Sequence, residues 1–296
     1  MKISVFTPTF NRGYLLKNLY DSLVRQTYKG FEWIIVDDGS EDDTEKVCTG
    51  FIDKNIIDIK YIRQKNGGKH RALNNAAKKA QGELFFVVDS DDQLTANALE
   101  RIAFHYNRVK DDESIGGVFG VKALFSGKPP GDTLLFPELK CNNLDFRYKM
   151  NFKGDMAEIF RTSVIREFPF PEYENERFCP EALVWNRIGR SYNLFIFNEI
   201  IYLCDYLDDG LTRKIVKIRM ESPRASMDTY AELCHSPVPW LQKIKARINF
   251  WRFSFNSDIP FTKKMKRVSG FYNLLAIPLG YLMHINDKKT VLNQNG

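Results

Sequence analysis

Asp89-Ser90-Asp91-Asp92 stands directly behind the apolar run Leu84-Phe85-Phe86-Val87-Val88. Three carboxylates within four residues at the end of a buried strand concentrate negative charge. Such a cluster is costly unless a cation sits in it, and hard oxygen ligands suit Mg²⁺ or Mn²⁺. The C-terminal tip of a parallel strand is also where open α/β sheets bind their ligands. Asp92 reads either as a third ligand or as the cap of a helix over 95–106, and the cap is the preferred reading.

Three more polar clusters follow apolar runs in the same way: Thr7-Pro8-Thr9-Phe10-Asn11-Arg12, Asp37-Asp38-Gly39-Ser40 and Asn66-Gly67-Gly68-Lys69-His70. The elements that must position them alternate. Strands are expected at 3–7, 33–36, 57–62 and 84–88, with helices at 14–26, 40–51, 71–80 and 95–106. The helix over 14–26 carries apolar residues at Leu15, Leu16, Leu19 and Leu23, and Ser40 with Asp43 resembles a capping box. This rhythm implies right-handed crossovers and a parallel sheet covered on both faces, so all four clusters fall on one sheet edge. His70, beside Lys69 and Arg71, reads as a surface or hydrogen-bonding residue. After Gly116-Gly117 the rhythm changes. Strands are expected at 118–125, 157–161 and 194–204, a helix near 181–190, and irregular chain over 132–153.

The composition is that of an ordinary globular protein, 44% hydrophobic and 27% charged over 296 residues. Five cysteines without short paired spacing argue against a zinc site or disulfide framework and fit a reducing compartment. A strand beginning at residue 3 leads to the expectation that no secretory signal precedes the fold. Charge is unevenly spread. From Leu211 onward there are 15 Lys/Arg against 5 Asp/Glu, which leaves −4 for residues 1–210 of a chain carrying +6 overall. The basic charge belongs to the tail, whose aromatic and aliphatic content favours an anionic membrane over nucleic acid.

Together the four clusters resemble the inverting family 2 glycosyltransferases with the glycosyltransferase-A fold. Thr-Pro-Thr-Phe-Asn-Arg is similar to that family's opening motif, Asp-Asp-Gly-Ser to its second, and Asp89-Ser90-Asp91 to its metal-binding Asp-x-Asp. The resemblance implies an α/β fold, with a mostly parallel central sheet and helices on both faces in one glycosyltransferase-A domain over 1–212. Residues 1–125 would hold a nucleotide sugar and 126–212 an acceptor, while charge and helical spacing, rather than the resemblance, make 213–296 a basic, amphipathic helical tail. It implies a nucleotide-diphosphate sugar donor, with UDP favoured, and a hydroxyl acceptor in a saccharide or lipid-linked saccharide of surface polysaccharide or glycolipid synthesis. The implied donor residues are Pro8, Thr9, Asn11, Arg12, Asp38, Lys69 and Asp89. Asp91 with Asp89 would hold Mn²⁺ or Mg²⁺ as a Lewis acid on the leaving diphosphate.

Direct displacement needs a general base. The family's base often sits in a Glu-Asp pair opening a helix, and here that pair reads Glu181-Ala182. Glu181 is the expected base, with Asp155 and Glu176 as rivals. Asp155 and Glu158 are the acceptor-side candidates. A nucleotidyltransferase would need a Gly-rich basic loop near the N-terminus, which Thr-Pro-Thr-Phe-Asn-Arg is not. A non-catalytic nucleotide-sugar-binding scaffold stays open because of Ala182. In the tail, Trp240, Leu241, Ile244, Ile248 and Trp251 follow helical spacing beside Lys and Arg, and the stretch 268–285 is uncharged. Both suit an interfacial helix, which makes the expected location cytoplasmic, peripheral on the inner face of the plasma membrane.

Overall fold

The computed structural model describes residues 1–205 and 214–293. The expected boundary at 212/213 lies outside the described residues. The first half is built as its sequence pattern dictates. Strand β1 (Ile3–Thr9), helix α1 (Gly13–Val24), β2 (Phe31–Asp37), α2 (Thr44–Asp53), β3 (Asp58–Arg63), α3 (Lys69–Lys79) and β4 (Leu84–Val87) follow in order. Their strands pair in parallel, β2 on β1 and on β3, and β1 on β4. Side chains alternate between the two faces with the period of two that a pleated strand imposes. Ile3, Val5, Trp33, Ile35, Leu84 and Phe86 enter one core with α1 and α2. Phe6, Ile34, Val36 and Phe85 enter a second core with α3.

A short strand β5 (Gln93–Leu94) and helix α4 (Ala98–Asn107) precede β6 (Ile115–Leu124), β7 (Glu138–Cys141), a π-helical turn (Asp145–Lys149) and β8 (Met156–Arg161). Then come α5 (Thr162–Glu167), α6 (Glu181–Ser191) and β9 (Asn193–Cys204). The sheet runs β3-β2-β1-β4-β8-β6-β9-β5, with β7 also on β9. Strand β8 is antiparallel to both β4 and β6, while β6 and β9 are parallel. Most strands therefore point the same way, and helices cover both faces: α4 joins the core of α1 and α2, and α5 and α6 join that of α3. Strand β7 and the π-helical turn lie inside the segment expected to be irregular.

Five helices follow: α7 (Ile215–Glu221), α8 (Pro223–His235), α9 (Trp240–Ser254), α10 (Phe261–Arg267) and α11 (Asn273–Asn293). The last four, α8 to α11, share a third core around Met227, Phe250, Trp251, Val268 and Ala276. Helix α8 is tied to the sheet domain. Glu232 accepts from Arg187 at 2.6 Å, Asp228 accepts from Tyr173, and Glu176 accepts from the main-chain N–H groups of Arg224 and Ala225 at 2.7 and 3.0 Å. The apolar stripe expected to lie in a membrane is not one surface. Trp251 is fully buried, whereas Trp240 and Leu241 are exposed.

Two capping expectations need correction. Helix α2 begins at Thr44, and Ser40 instead accepts from the Asn11 N–H at 2.8 Å, joining two loops. Asp92 does not cap α4, whose N-cap is Asn97. It is buried and accepts from the Tyr202 hydroxyl at 2.6 Å.

Candidate active site

Strands β1, β2, β3 and β4 end on one edge of the sheet, and the loops beyond them open into a cleft of about 810 Å³. Its lining includes Pro8 and Thr9 at the end of β1 and Arg12 after it, Asp38 after β2, Lys69 and His70 after β3, and Asp89 and Asp91 after β4. Asp155 and the segment 177–182, which opens α6, form the facing wall.

Asp38 is almost wholly buried. Its Oδ1 accepts from the Gln64 side chain at 2.8 Å and the Gly67 N–H at 2.9 Å, and its Oδ2 accepts from the Gly68 N–H at 2.7 Å. One lone-pair direction remains on Oδ2, since each carboxylate oxygen can accept twice. Gly68 has φ +95°, and a Cβ there would meet the Arg177 carbonyl oxygen at 1.8 Å. Glycine is required at this contact, which presses the β3 loop against the segment leading into α6. Asn11 does not line the cleft. In the left-handed region at φ 52°, it holds the Asp-Asp-Gly-Ser loop through its own N–H to Ser40 and through its Oδ1, which accepts the Glu41 N–H at 2.8 Å.

The acidic cluster is threaded with cations. Arg12 pairs with Asp91 at 2.9 Å, and Lys69 bridges Asp89 at 2.6 Å and Glu181 at 3.0 Å. Burial opposes the charge on Lys69, but Asp89 and Glu181 outweigh it and hold the ammonium pKa above its ordinary value. Lys122, near the C-terminal end of β6, joins the same cluster with its ammonium 4.2 Å from the Tyr202 ring centre. Burial opposes its charge too, and Asp89, Asp92 and Glu158 together raise its pKa. For Asp89, burial is outweighed by Lys69 and Lys122, so its carboxyl is held below the usual range. Asp92 goes the other way: burial, and then the Asp89 charge, push it up to about 7.

Thr9 Oγ1 and His70 Nδ1 are buried without a hydrogen-bond partner among the described residues. His70 is buried rather than on the surface, and burial followed by the Arg71 charge lowers its pKa to about 4. Glu181 lies in the first turn of α6, where the helix dipole favours a carboxylate. The rival Glu176 is removed from the cleft, its carboxylate being spent on the N-terminus of α8. Glu158, on β8, stands 3.6 Å from Arg147, and burial followed by the Glu181 charge raises its carboxyl to about 7.

Among the described residues no three His, Cys, Asp or Glu side chains are grouped to hold a metal by themselves. The donor set nevertheless fits Mg²⁺ or Mn²⁺. These ions keep several waters and are commonly held by one or two carboxylates plus substrate phosphates, and Asp89 and Asp91 offer two in the cleft. Residues the sequence reading missed include Lys122, Arg177 and Arg219, all in the lining. A lone lysine inside the apolar strand Ile115–Leu124 was the available signal for the first.

The chain can now be set beside known proteins. A model of glycosyl transferase family 2 matches residues 4–168, more than half of the chain. That span holds the cleft residues from Pro8 to Asp155 and ends before Glu181. The chain is 30% identical over 222 residues to the GalNAc(5)-diNAcBac-PP-undecaprenol beta-1,3-glucosyltransferase of Campylobacter jejuni, covering 71% of this chain and 67% of that protein. It spans only 36% of the next curated relative. In fold it is similar to S. aureus TarS 1-349 in complex with UDP-GlcNAc, with a TM-score of 0.64 at 18% identity over 95% of this chain and 79% of that one. It is also similar to the mannosyltransferase PcManGT from Pyrobaculum calidifontis in complex with GDP-Man and Mn²⁺. There the TM-score is 0.58 at 14% identity, over 97% and 87% of the two chains. With the motifs on one sheet edge, the family match and the shared fold, this chain belongs to glycosyl transferase family 2 and has a glycosyltransferase-A fold.

Proposed function

We propose that this enzyme moves a sugar from a nucleotide-diphosphate donor, a UDP-sugar, to a hydroxyl of a saccharide or lipid-linked saccharide, with inversion at the anomeric carbon. The observation that carries the reading is Lys69 bridging Asp89, on the motif side of the cleft, to Glu181 on the facing wall. A diphosphate entering between them meets a cation on one side and a candidate base on the other. The names of the relatives supply the substrate classes: one acts on an undecaprenol-linked saccharide, and a structure of similar fold is complexed with UDP-GlcNAc.

In this reading the uracil N3–H donates to the free lone pair of Asp38, and Thr9 Oγ1 gains the partner it lacks. Arg12 and Lys69 turn from their carboxylates toward the diphosphate. Asp89 and Asp91 would hold the divalent ion, which when bound would supply Lewis-acid neutralisation of the departing phosphate charge. Glu181 takes the proton of the acceptor hydroxyl as its oxygen forms a bond to C1 from the face opposite the diphosphate. The C1–O bond to the β-phosphate breaks and its electron pair leaves with UDP. Asp155 and Glu158 belong to the acceptor side. Residues 1–125 form the donor half, 126–212 the acceptor half, and 213–296 a tail that keeps the enzyme at the cytoplasmic face of a membrane.

The deciding experiment measures UDP release from a panel of UDP-sugars with Mn²⁺ or Mg²⁺, for the wild type, Glu181→Gln and Asp91→Asn. Glu181→Gln should bind UDP normally and lose roughly 10²–10⁴-fold in turnover, the usual share of a general base. Asp91→Asn should lose the metal stimulation. Wild-type binding of UDP and Mn²⁺ with no turnover of any donor would instead favour a scaffold.

A further inference from the structure

Helix α11 is turned inside out. A surface helix normally buries its large apolar residues and shows its polar ones to water. Here the inward face is Asn273, Ala276, Gly280, His284 and Asp287, spaced three and four apart and all buried. These residues are satisfied by specific contacts. Asn273 accepts from the Trp251 indole at 3.1 Å, and Asp287 pairs with Arg252 at 2.5 Å. A Cβ on Gly280 would stand 2.7 Å from that of Trp251, so α11 lies against α9 at glycine distance. What faces outward is apolar. Eight large side chains between Phe271 and Met283 are exposed, among them Phe271 at 79%, Leu274 at 67%, Leu275 at 65% and Leu282 at 63%.

Leaving this much contiguous apolar surface in water is unfavourable, and such patches mark interaction sites. The charges around it identify the occupant. From residue 259 to 293 the only acidic side chain is Asp287, which is buried and paired with Arg252. The exposed ionised groups of the same segment are Lys263 and Lys266 before the apolar run and Lys288 and Lys289 behind it. A second protein copy would bring the same positive charges into opposition, whereas an anionic lipid surface complements them. Among the described residues no helix is long and apolar enough to cross a membrane, so a flat seating is the geometry available.

We propose that the outward face of α11, anchored by Leu274, Leu275 and Leu282 and by Phe271 just before the helix, seats in the interface of a bilayer containing anionic phospholipid. This deepens the membrane placement proposed above by naming its surface. It also places the cleft. Helix α7 lines the cleft through Ile215 and Ile218, and its other side lines a second cavity of about 250 Å³ with Asn286 and Thr290 of α11. Helix α7 thus lies between the cleft and the C-terminal half of α11, just beyond the apolar stretch.

The test is sedimentation of the full chain with phosphatidylcholine vesicles, with and without phosphatidylglycerol, for the wild type and the triple variant L274S/L275S/L282S. UDP-sugar turnover on a soluble acceptor is followed in parallel. The wild type should pellet with the anionic vesicles only. The variant should partition at least about a hundredfold less, because three leucines no longer leave water, while its turnover is unchanged. A variant that pellets like the wild type overturns the inference, as does a wild type that ignores anionic vesicles. A lipid-free wild-type dimer that the triple variant dissolves, without vesicle binding, assigns the face to a second copy and also overturns it. Loss of turnover in the wild type itself would count against the proposed reaction and leave the vesicle result standing.

Discussion

Asp38→Asn is the sharpest perturbation the cleft offers, because it changes charge and hydrogen-bonding sense without changing shape. The carboxylate now accepts three hydrogen bonds, two of them from consecutive main-chain N–H groups. An asparagine has one acceptor atom and one donor atom. With the amide oxygen toward Gln64 and Gly67, its NH₂ group opposes the Gly68 N–H. The flipped amide opposes the other two. Gly68 cannot swing away, since its Cα side is closed by the Arg177 carbonyl. The cheaper orientation loses one charge-assisted bond, about 1.5–3 kcal/mol, and strands a main-chain donor whose desolvation overlaps with that loss. A total of roughly 2–4 kcal/mol follows, which for a chain of this size lowers Tm by about 3–6 °C.

The same substitution reports on base reading. In the proposed reading the free lone pair of Oδ2 accepts from uracil N3–H, and cytosine has no proton at N3. Calorimetry with UDP and CDP should therefore show UDP affinity falling by about 10–100-fold, with a smaller loss for CDP. Equal losses for the two nucleotides would reduce Asp38 to a loop brace. An unchanged Tm together with unchanged UDP affinity would refute the whole account of this carboxylate.

Lys69→Met should cost little stability, less than about 1 kcal/mol, because the ion pairs it removes are about a third exposed. Turnover should nevertheless fall on the order of a hundredfold, the scale of a lost charge clamp on a leaving phosphate, and a steady-state assay showing normal kcat would sink the role given to this lysine. Glu158→Gln tests the raised carboxyl by its pH dependence. The folded protein holds a proton on Glu158 up to about pH 7, whereas an unfolded glutamate releases it near 4.5. Between those values the native state binds the extra proton, so stability falls as pH rises through the window and levels off above it. The variant should gain on the wild type by at most about 3 kcal/mol from pH 5 to pH 8. Urea midpoints that stay parallel across that range would contradict it.

The first half of the fold was legible because its signals are local. Ile3, Val5, Trp33 and Ile35 alternate with Phe6, Ile34 and Val36, and that alternation alone states a strand buried on both faces. Four polar clusters at strand ends then had to share an edge once the crossovers were right-handed. What stayed hidden depends on tertiary partners. Nothing in the residues of β8 says that it runs antiparallel between β4 and β6, because a strand buried on both faces reads the same in either direction. Lys122 gave a signal without a meaning, because one cation in an apolar strand acquires a role only when Asp89, Asp92 and Glu158 are seen around it. Asp92 was misjudged because capping is a local habit, and its partner, Tyr202, lies 110 residues away.

The tail shows the limit of periodicity more plainly. In α9 the spacing of Trp240, Leu241, Ile244, Ile248 and Trp251 is helical, yet burial selects Ala246, Phe250, Trp251, Phe253 and Ser254. Aromatic residues occur all round that helix, so a stripe drawn through its largest side chains does not name the inward side. In α11 the residues that look like interruptions of an apolar run, Asn273 and Gly280, are the ones that fit against α9. A helix that must pack closely on another helix and also meet lipid has reason to place its small and polar groups inward, where hydrogen bonds and close approach hold it, and its leucines outward. Hydrophobic patterning read with water as the assumed solvent inverts the two faces. On the proposal that α11 meets a bilayer interface, the pattern reads correctly once lipid is taken as the outer solvent.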